Sequence, residues 1–186
     1  MIDTRRLTLT PAAPRHLLTL IEQPDAFEAS TGLRLAPGLR DFYVSGEVSP
    51  AWLSALRKSS DPDPWRHGFF MVDREAKAVI GTAGFKGPAD EDGMVEIAYG
   101  VAPGFQGQGY ATEAAAALVD YAFATPGVRL VRAHTRAEPN ASTRVLLKNG
   151  FRHCGMVVDQ DDGPVWRWEL IQGPKNPLPA EFLPSR

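Results

Sequence analysis

The sequence predicts an α/β fold in which one mixed sheet carries helices on both faces. Two observations support this. Strand-like and helical runs are interleaved in the order strand, helices, three-strand meander, helix, strand, helix, two strands. A glycine-rich loop also joins the last meander strand to an alanine-rich helix, forming a strand–loop–helix unit.

Each element has a local cause. Residues 5–10 alternate apolar and polar side chains and stop at Pro11, which marks a first strand. His16–Glu28 has a helical pattern interrupted by Pro24, and residues 30–48 have no clear period. Ser49-Pro50 supplies a cap and a proline at the first helical position, opening a short helix to about Lys58. A loop follows at Ser59–His67. Phe69–Asp73 and Ala78–Phe85 flank the polar residues 74–77 as a hairpin, and Met94–Val101 completes the meander. The alanine-rich helix runs from the loop at 103–109 to near Phe123, and Val128–Thr135 is the next strand. Asn140 caps a helix over Ala141–Asn149, and Gly150 stands at its C′ stop. Phe151–Asp159 and Val165–Ile171 make a last hairpin. Residues 1–172 form a single domain, and 173–186, with four prolines, an irregular tail.

Composition narrows the function classes. The chain has 186 residues, of which 23% are charged, and a net charge of −2. Nothing in that balance favours nucleic acid or an anionic membrane as partner. No run approaches the roughly 18 apolar residues of a membrane span, and no apolar stretch of signal-peptide length follows Met1. Cys154 is the only cysteine, so an internal disulfide is excluded and a reducing, cytoplasmic setting is expected. His67 and His153 lack metal-ligand partners at useful spacing, so no metal is expected. Exposed edge strands leave room for a homodimer.

The loop carries the clearest chemistry. Gly104, Gly107 and Gly109 lie in six positions immediately before a helix. Glycine lets backbone approach a ligand closely, and a helix start offers unpaired N–H donors with a positive dipole end. This combination holds a phosphate or pyrophosphate without lysine. The same residues also suit a tight strand-to-helix turn with no ligand. A P-loop is excluded because Tyr110-Ala111, not Lys-Ser/Thr, follows Gly109. The dinucleotide fingerprint fails at its third glycine and at the acid expected about 20 residues on.

The stretch Val101-x-Pro103-x-Phe105-Gln106-Gly107-Gln108-Gly109-Tyr110-Ala111-Thr112-Glu113-Ala114 resembles the acetyl-CoA loop of the GNAT acetyltransferase superfamily. Thr4–Pro11, Glu96-Ile97-Ala98-Tyr99 and Asn140–Phe151 are similar to its RimJ/RimL-like branch. The resemblance implies a V-splayed sheet of about seven strands with the pantetheine arm of acetyl-CoA between the splayed strands. It further implies that backbone near Val101 holds that arm and that Gln106, Gly107, Gln108, Gly109, Tyr110 and Ala111 take the pyrophosphate. Thr112 adds a contact and Asn140 reaches the pantetheine. The implied reaction is direct acetyl transfer to an amine, on a small molecule or a peptide N-terminus.

Such a transfer needs a neutral amine, and hence a base. Deprotonation at pH 7 costs about 4.6 kcal/mol for a lysine and about 1 for an α-amine. Glu96 is the candidate: on a strand it shares a face with Ala98 and Gly100, which leave room for a ligand. The plainer reading of Glu96 is a solvated or arginine-paired strand carboxylate. Many superfamily members protonate the leaving thiolate with a tyrosine of the second helix, and here that place is Leu146. Ser142 is the substitute, with first-turn helix hydrogen bonding as its other role. Glu113 and His134 read as structural, Cys154 as a small buried hydrophobe, and Trp166 and Trp168 as core. Phe27, Tyr43, Trp52 and Trp65 read as core first and acceptor pocket second.

Overall fold

The computed structural model describes residues 1–44, 48–159 and 163–173. The prolines of the expected tail and part of the expected turn at 161–164 lie outside these residues. In chain order the strands are β1 (Ile2–Asp3), β2 (Leu7–Pro11), β3 (Arg34–Leu35), β4 (Phe69–Asp73), β5 (Ala78–Phe85), β6 (Met94–Val101), β7 (Leu130–Arg136), β8 (Arg152–Asp159) and β9 (Gly163–Ile171). The helices are α1 (Pro14–Glu22), α2 (Phe27–Thr31), α3 (Leu39–Val44), α4 (Pro50–Lys58), α5 (Tyr110–Ala124) and α6 (Ala141–Lys148).

The meander strands fall where the alternation places them. Around Pro24 the expected single helix is split: α1 ends at Glu22, a 3₁₀ turn spans Pro24–Ala26, and α2 follows. Proline has no N–H to continue the α-helical ladder, so the chain restarts there. The stretch at 30–48 holds two short elements, β3 and α3. The sheet has nine strands rather than about seven, because the two-residue β1 and β3 add to the seven expected.

The sheet order is β1-β2-β4-β5-β6-β7-β9-β8, with β3 parallel to β5. Its neighbours run antiparallel except at β6–β7, which is parallel and short. Only Met94, Val95 and Glu96 pair across, with Leu130, Val131 and Arg132. Beyond Glu96, β6 stays with β5 through Val101, while β7 stays with β9 through Arg136. The sheet therefore opens as a V between β6 and β7.

Helices cover both faces. Phe70 of β4 meets Phe27 of α2 edge to face at 5.7 Å, whereas its neighbour Phe69 meets Tyr121 of α5 at 5.6 Å. On α5 the buried residues Ala114, Ala115, Leu118 and Ala122 face the sheet, and the three alanines let the helix lie close to it. No helix among the described residues is long and apolar enough to cross a membrane.

Glu113 ties the start of β2 to the first turn of α5. Its carboxylate accepts from Thr4 Oγ1 at 2.6 Å, Arg6 N at 2.6 Å and Arg6 Nε at 2.9 Å. Burial pushes this carboxyl up, but the hydrogen bonds from Thr4 and Arg6 and the Arg6 charge outweigh it and hold it below the ordinary range. A depressed carboxylate adds stability above its unfolded pKa, and that stability disappears as pH falls through the folded value. Glu113→Gln should therefore cost about 2 kcal/mol at pH 7, with the deficit shrinking below about pH 4. Urea melts at pH 7 and pH 3 check this, and an equal deficit at both would contradict it.

Candidate active site

A groove of about 550 Å³ lies where β6 and β7 part. One wall is the end of β6 (Tyr99, Gly100, Val101) and the loop that follows, continuing through Thr112 in the first turn of α5. The facing wall is α6, with Ser142, Arg144, Val145 and Lys148. Thr82 of β5 and Gly38 and Leu39 close the far end.

The loop presents donors. Gly107 and Gly109 have φ of 74° and 85°, left-handed values that cost a side-chain-bearing residue about 1–2 kcal/mol. Bent in this way, the amides of residues 107–112 find no backbone or side-chain acceptor among the described residues. Gly109 is the N-cap of the fifteen-residue α5 and offers no side-chain cap. Six free N–H groups at a helix start, with the dipole behind them, fit a diphosphate.

Other groups hold this loop from behind. Arg6 Nη1 donates to the Gln108 carbonyl at 2.9 Å, and the same guanidinium lies 4.1 Å over the Tyr110 ring. Gln106 Nε2 donates to Val101 O at 2.9 Å. Of the expected cofactor residues, Val101, Gln106, Gly107, Gly109, Tyr110, Ala111 and Thr112 line the groove. The Gln108 side chain turns away to Gly104 O at 3.1 Å, so its backbone alone faces the loop's work.

On α6 the expected residues divide. Asn140 caps the helix: its Oδ1 accepts from Thr143 N at 3.0 Å and its Nδ2 donates to Glu138 O at 3.1 Å. The Thr143 hydroxyl bonds back to Asn140 N and completes a capping box. Asn140 is not part of the groove lining, whereas Ser142 is. Tyr99 crosses the opening to meet Ser142, its hydroxyl 3.5 Å from the Ser142 carbonyl. Burial raises the Tyr99 phenol well above its ordinary range, so it stays protonated. Leu146 is fully buried in the core.

Glu96 stands at the last paired position, on the opposite face of β6 from Tyr99. Ala98 and Gly100 share its face and are exposed, as the alternation requires. Its partners are a lysine and a histidine rather than an arginine. Oε1 lies 2.6 Å from Lys86 Nζ and 3.1 Å from His134 Nδ1. The Glu96 and His134 side chains are 15% and 16% exposed, so this pair is only partly screened.

The remaining aromatic residues are mainly core. Phe27 is fully buried, and Trp65 packs on Phe85 and Tyr121. Tyr43 stacks on Trp52 at 6.3 Å, and its hydroxyl bonds to Thr82 at the groove's end. Burial pushes the Tyr43 phenol up to about 12. Trp168 is fully buried, with Nε1 donating to Thr135 Oγ1 at 3.0 Å. Cys154 corrects its expectation. It is exposed, because it stands on the outward phase of the edge strand β8, whose burial alternates residue by residue. Among the described residues, no group of three or more His, Cys, Asp or Glu is placed to hold a metal.

Comparison with known proteins identifies a family. Residues 6–152 match the model of the acetyltransferase (GNAT) domain. The uncharacterized N-acetyltransferase p20 of Bacillus licheniformis is 31% identical over 93 residues, covering 50% of this chain and 52% of that protein. The chain spans about half the length of the first curated relatives it matches. A GNAT-family acetyltransferase from Bacillus anthracis superposes with a TM-score of 0.60 at 18% identity, over 91% of this chain and 97% of that one. A Vibrio cholerae protein assigned to ribosomal-protein-serine acetylation superposes at 0.63 and 17% identity, over 91% and 96%. At these identities the likeness is one of fold.

The capping geometry yields a prediction. Asn140→Ala should cost about 1 kcal/mol, and Asn140→Ser should recover most of it. Denaturant midpoints check this; equal losses for both variants would count against the cap.

Proposed function

Because the chain belongs to the GNAT acetyltransferase family, we propose that it is an acetyl-CoA-dependent N-acetyltransferase of the RimJ/RimL-like kind, acting in the cytoplasm on a primary amine. The observation that best supports the reading is the row of unpartnered amides at 107–112, at the mouth of a groove leading to the split between β6 and β7. Bound there, acetyl-CoA supplies an acetyl group already activated as a thioester.

The chain's own residues then have separable tasks. The amides from Gly107 to Ala111 hold the pyrophosphate, with Gln106 shaping the loop through its bond to Val101 O and Thr112 adding a contact from the first helical turn. Backbone at Val101, on the edge that β7 has left, holds the pantetheine arm. Asn140 serves the cofactor by fixing the turn that carries Ser142. Glu96, together with the His134 ring it holds, is assigned to amine deprotonation. The Ser142 and Tyr99 hydroxyls, both in the groove lining, are assigned as the proton source for the sulfur. A thiol pKa near 8.5 asks little of them.

The acceptor is a primary amine on a peptide N-terminus or a small molecule. The partly exposed, lysine-paired Glu96 suits an α-amine, whose deprotonation costs about 1 kcal/mol against about 4.6 for a lysine. A second copy of the chain would pair along the edge strand β8, where Met156 and Val158 are exposed. One observation favours a second reading, a CoA-binding module without catalysis: Leu146 is buried at the place where the family resemblance implies a tyrosine. Tyr99 answers it by placing a phenol in the same groove from β6.

Acetyl-CoA at 100 times its dissociation constant should stabilise the protein by about 2.7 kcal/mol in a thermal melt. No shift at millimolar acetyl-CoA would contradict both readings. With an accepted amine, Glu96→Gln should lower kcat/KM about 100-fold or more at pH 7 and leave the melting shift intact. Unchanged turnover from pH 6 to 9 would remove Glu96 from the mechanism.

A further inference from the structure

Glu96 is poorly placed to take a proton itself. Its Oε1 is already committed to the Lys86 ammonium at 2.6 Å and to His134 Nδ1 at 3.1 Å. A carboxylate oxygen already held by two partners has little room for an incoming amine, but it orients an imidazole well. We propose that Nε2 of His134 receives the amine's proton, with Glu96 as the positioning residue that fixes the ring and stabilises its charged form. The proposal rests on the acetyltransferase reading and deepens it.

Three features of the geometry support it. First, an ionised carboxylate only accepts, so Nδ1 must donate to it, and the neutral ring then carries its lone pair on Nε2. Second, Nε2 has no partner among the described residues and is not a buried unsatisfied atom, so it is accessible. Third, the register places the ring at the opening. Glu96 pairs with Arg132, so His134, two residues further along β7, faces Ala98 just where the strands have parted. The small, exposed Ala98 leaves space between strand and ring for an amine.

The charged neighbours allow the ring to cycle. Lys86 and Glu96 face it from the β6 side. Arg132 stands on its own strand, and Arg167 is its direct cross-strand partner on β9. Glu169 of β9 pairs with both arginines, at 2.7 and 3.5 Å. α6 lies on the other face of β7, over the buried side chains of Val131, Ala133 and Thr135. The ring thus meets the Glu96 carboxylate directly, with Lys86, Arg132 and Arg167 around the pair.

In the step itself the proton leaves the amine nitrogen for His134 Nε2. The nitrogen's electron pair forms the C–N bond as the C–S bond of the thioester breaks. The sulfur keeps that pair and takes a proton from the Ser142 or Tyr99 hydroxyl, which regains one from solvent; the second proton that the nitrogen sheds on becoming an amide passes to solvent, and His134 then releases the first.

Two measurements test this. Imidazole ¹⁵N shifts of the protein alone should show His134 protonated on Nδ1 and bare on Nε2 at neutral pH. The opposite tautomer would overturn the proposal whatever the activity. In the second, kcat/KM is followed against pH with an amine whose pKa is about 10. His134→Ala should lose about 100-fold or more and recover part of it with added imidazole. In Glu96→Gln the ascending limb should persist but move to lower pH, because the anion that favoured the imidazolium is gone. A fully active His134→Ala, a loss that imidazole does not recover, or a limb that vanishes in Glu96→Gln would each overturn the proposal and leave the acetyltransferase reading standing. A wild type inactive toward every amine would overturn both.

Discussion

The site depends on a strand pairing that stops early. β6 and β7 share only the three pairs from Met94↔Leu130 to Glu96↔Arg132, and the candidate groove opens beyond that point. Parallel pairing is slightly weaker per residue than antiparallel, and here each strand keeps an antiparallel neighbour on its outer side. The split therefore leaves polar backbone groups on the inner edges without a sheet partner. Unpaired groups of this kind cost about 1–3 kcal/mol each when buried, so a ligand with an amide-bearing arm would gain by pairing them. Tyr99, bridging from β6 to the first turn of α6, holds the opening at a defined width.

The loop at the mouth is set before any ligand arrives. Glu113 gathers Thr4 and the backbone and side chain of Arg6, and Arg6 in turn holds the Gln108 carbonyl and covers Tyr110. The amides of 107–112 are thus fixed by contacts on the side away from the groove. Ordering that is complete in the free protein is not charged against binding. The same arrangement would let a protein of net charge −2 hold the proposed diphosphate with no lysine in its loop.

The sequence made the loop end of the candidate cleft legible and left the residues around the split half hidden. Glycine spacing before a helix is a local signal, and Gly107 and Gly109 have the positive φ it demands. The meander was equally plain from alternation, as was α6 from Asn140 and Gly150. Tyr99 was not, because it alternates with Val95 and Ile97 and reads as core until the sheet is known to split beside it. His134 was read as a sheet residue for the same reason; its approach to Glu96 is a long-range fact of β6–β7 register. Asn140 shows the reverse. Its local capping signal was correct and gives the more direct account of its side chain. Glu113 carried a helix-dipole signal but no hint that Thr4 and Arg6 would converge on it from the start of the chain.

Residue-resolved amide hydrogen exchange, with and without acetyl-CoA, tests the split cleft as a binding site most directly. Slowed exchange is predicted in residues 98–101 of β6 and 107–112 of the loop, with little change in the outer strands β8 and β9. Unchanged exchange in both segments at saturating acetyl-CoA, or protection confined to another part of the sheet, would contradict the assignment of this cleft.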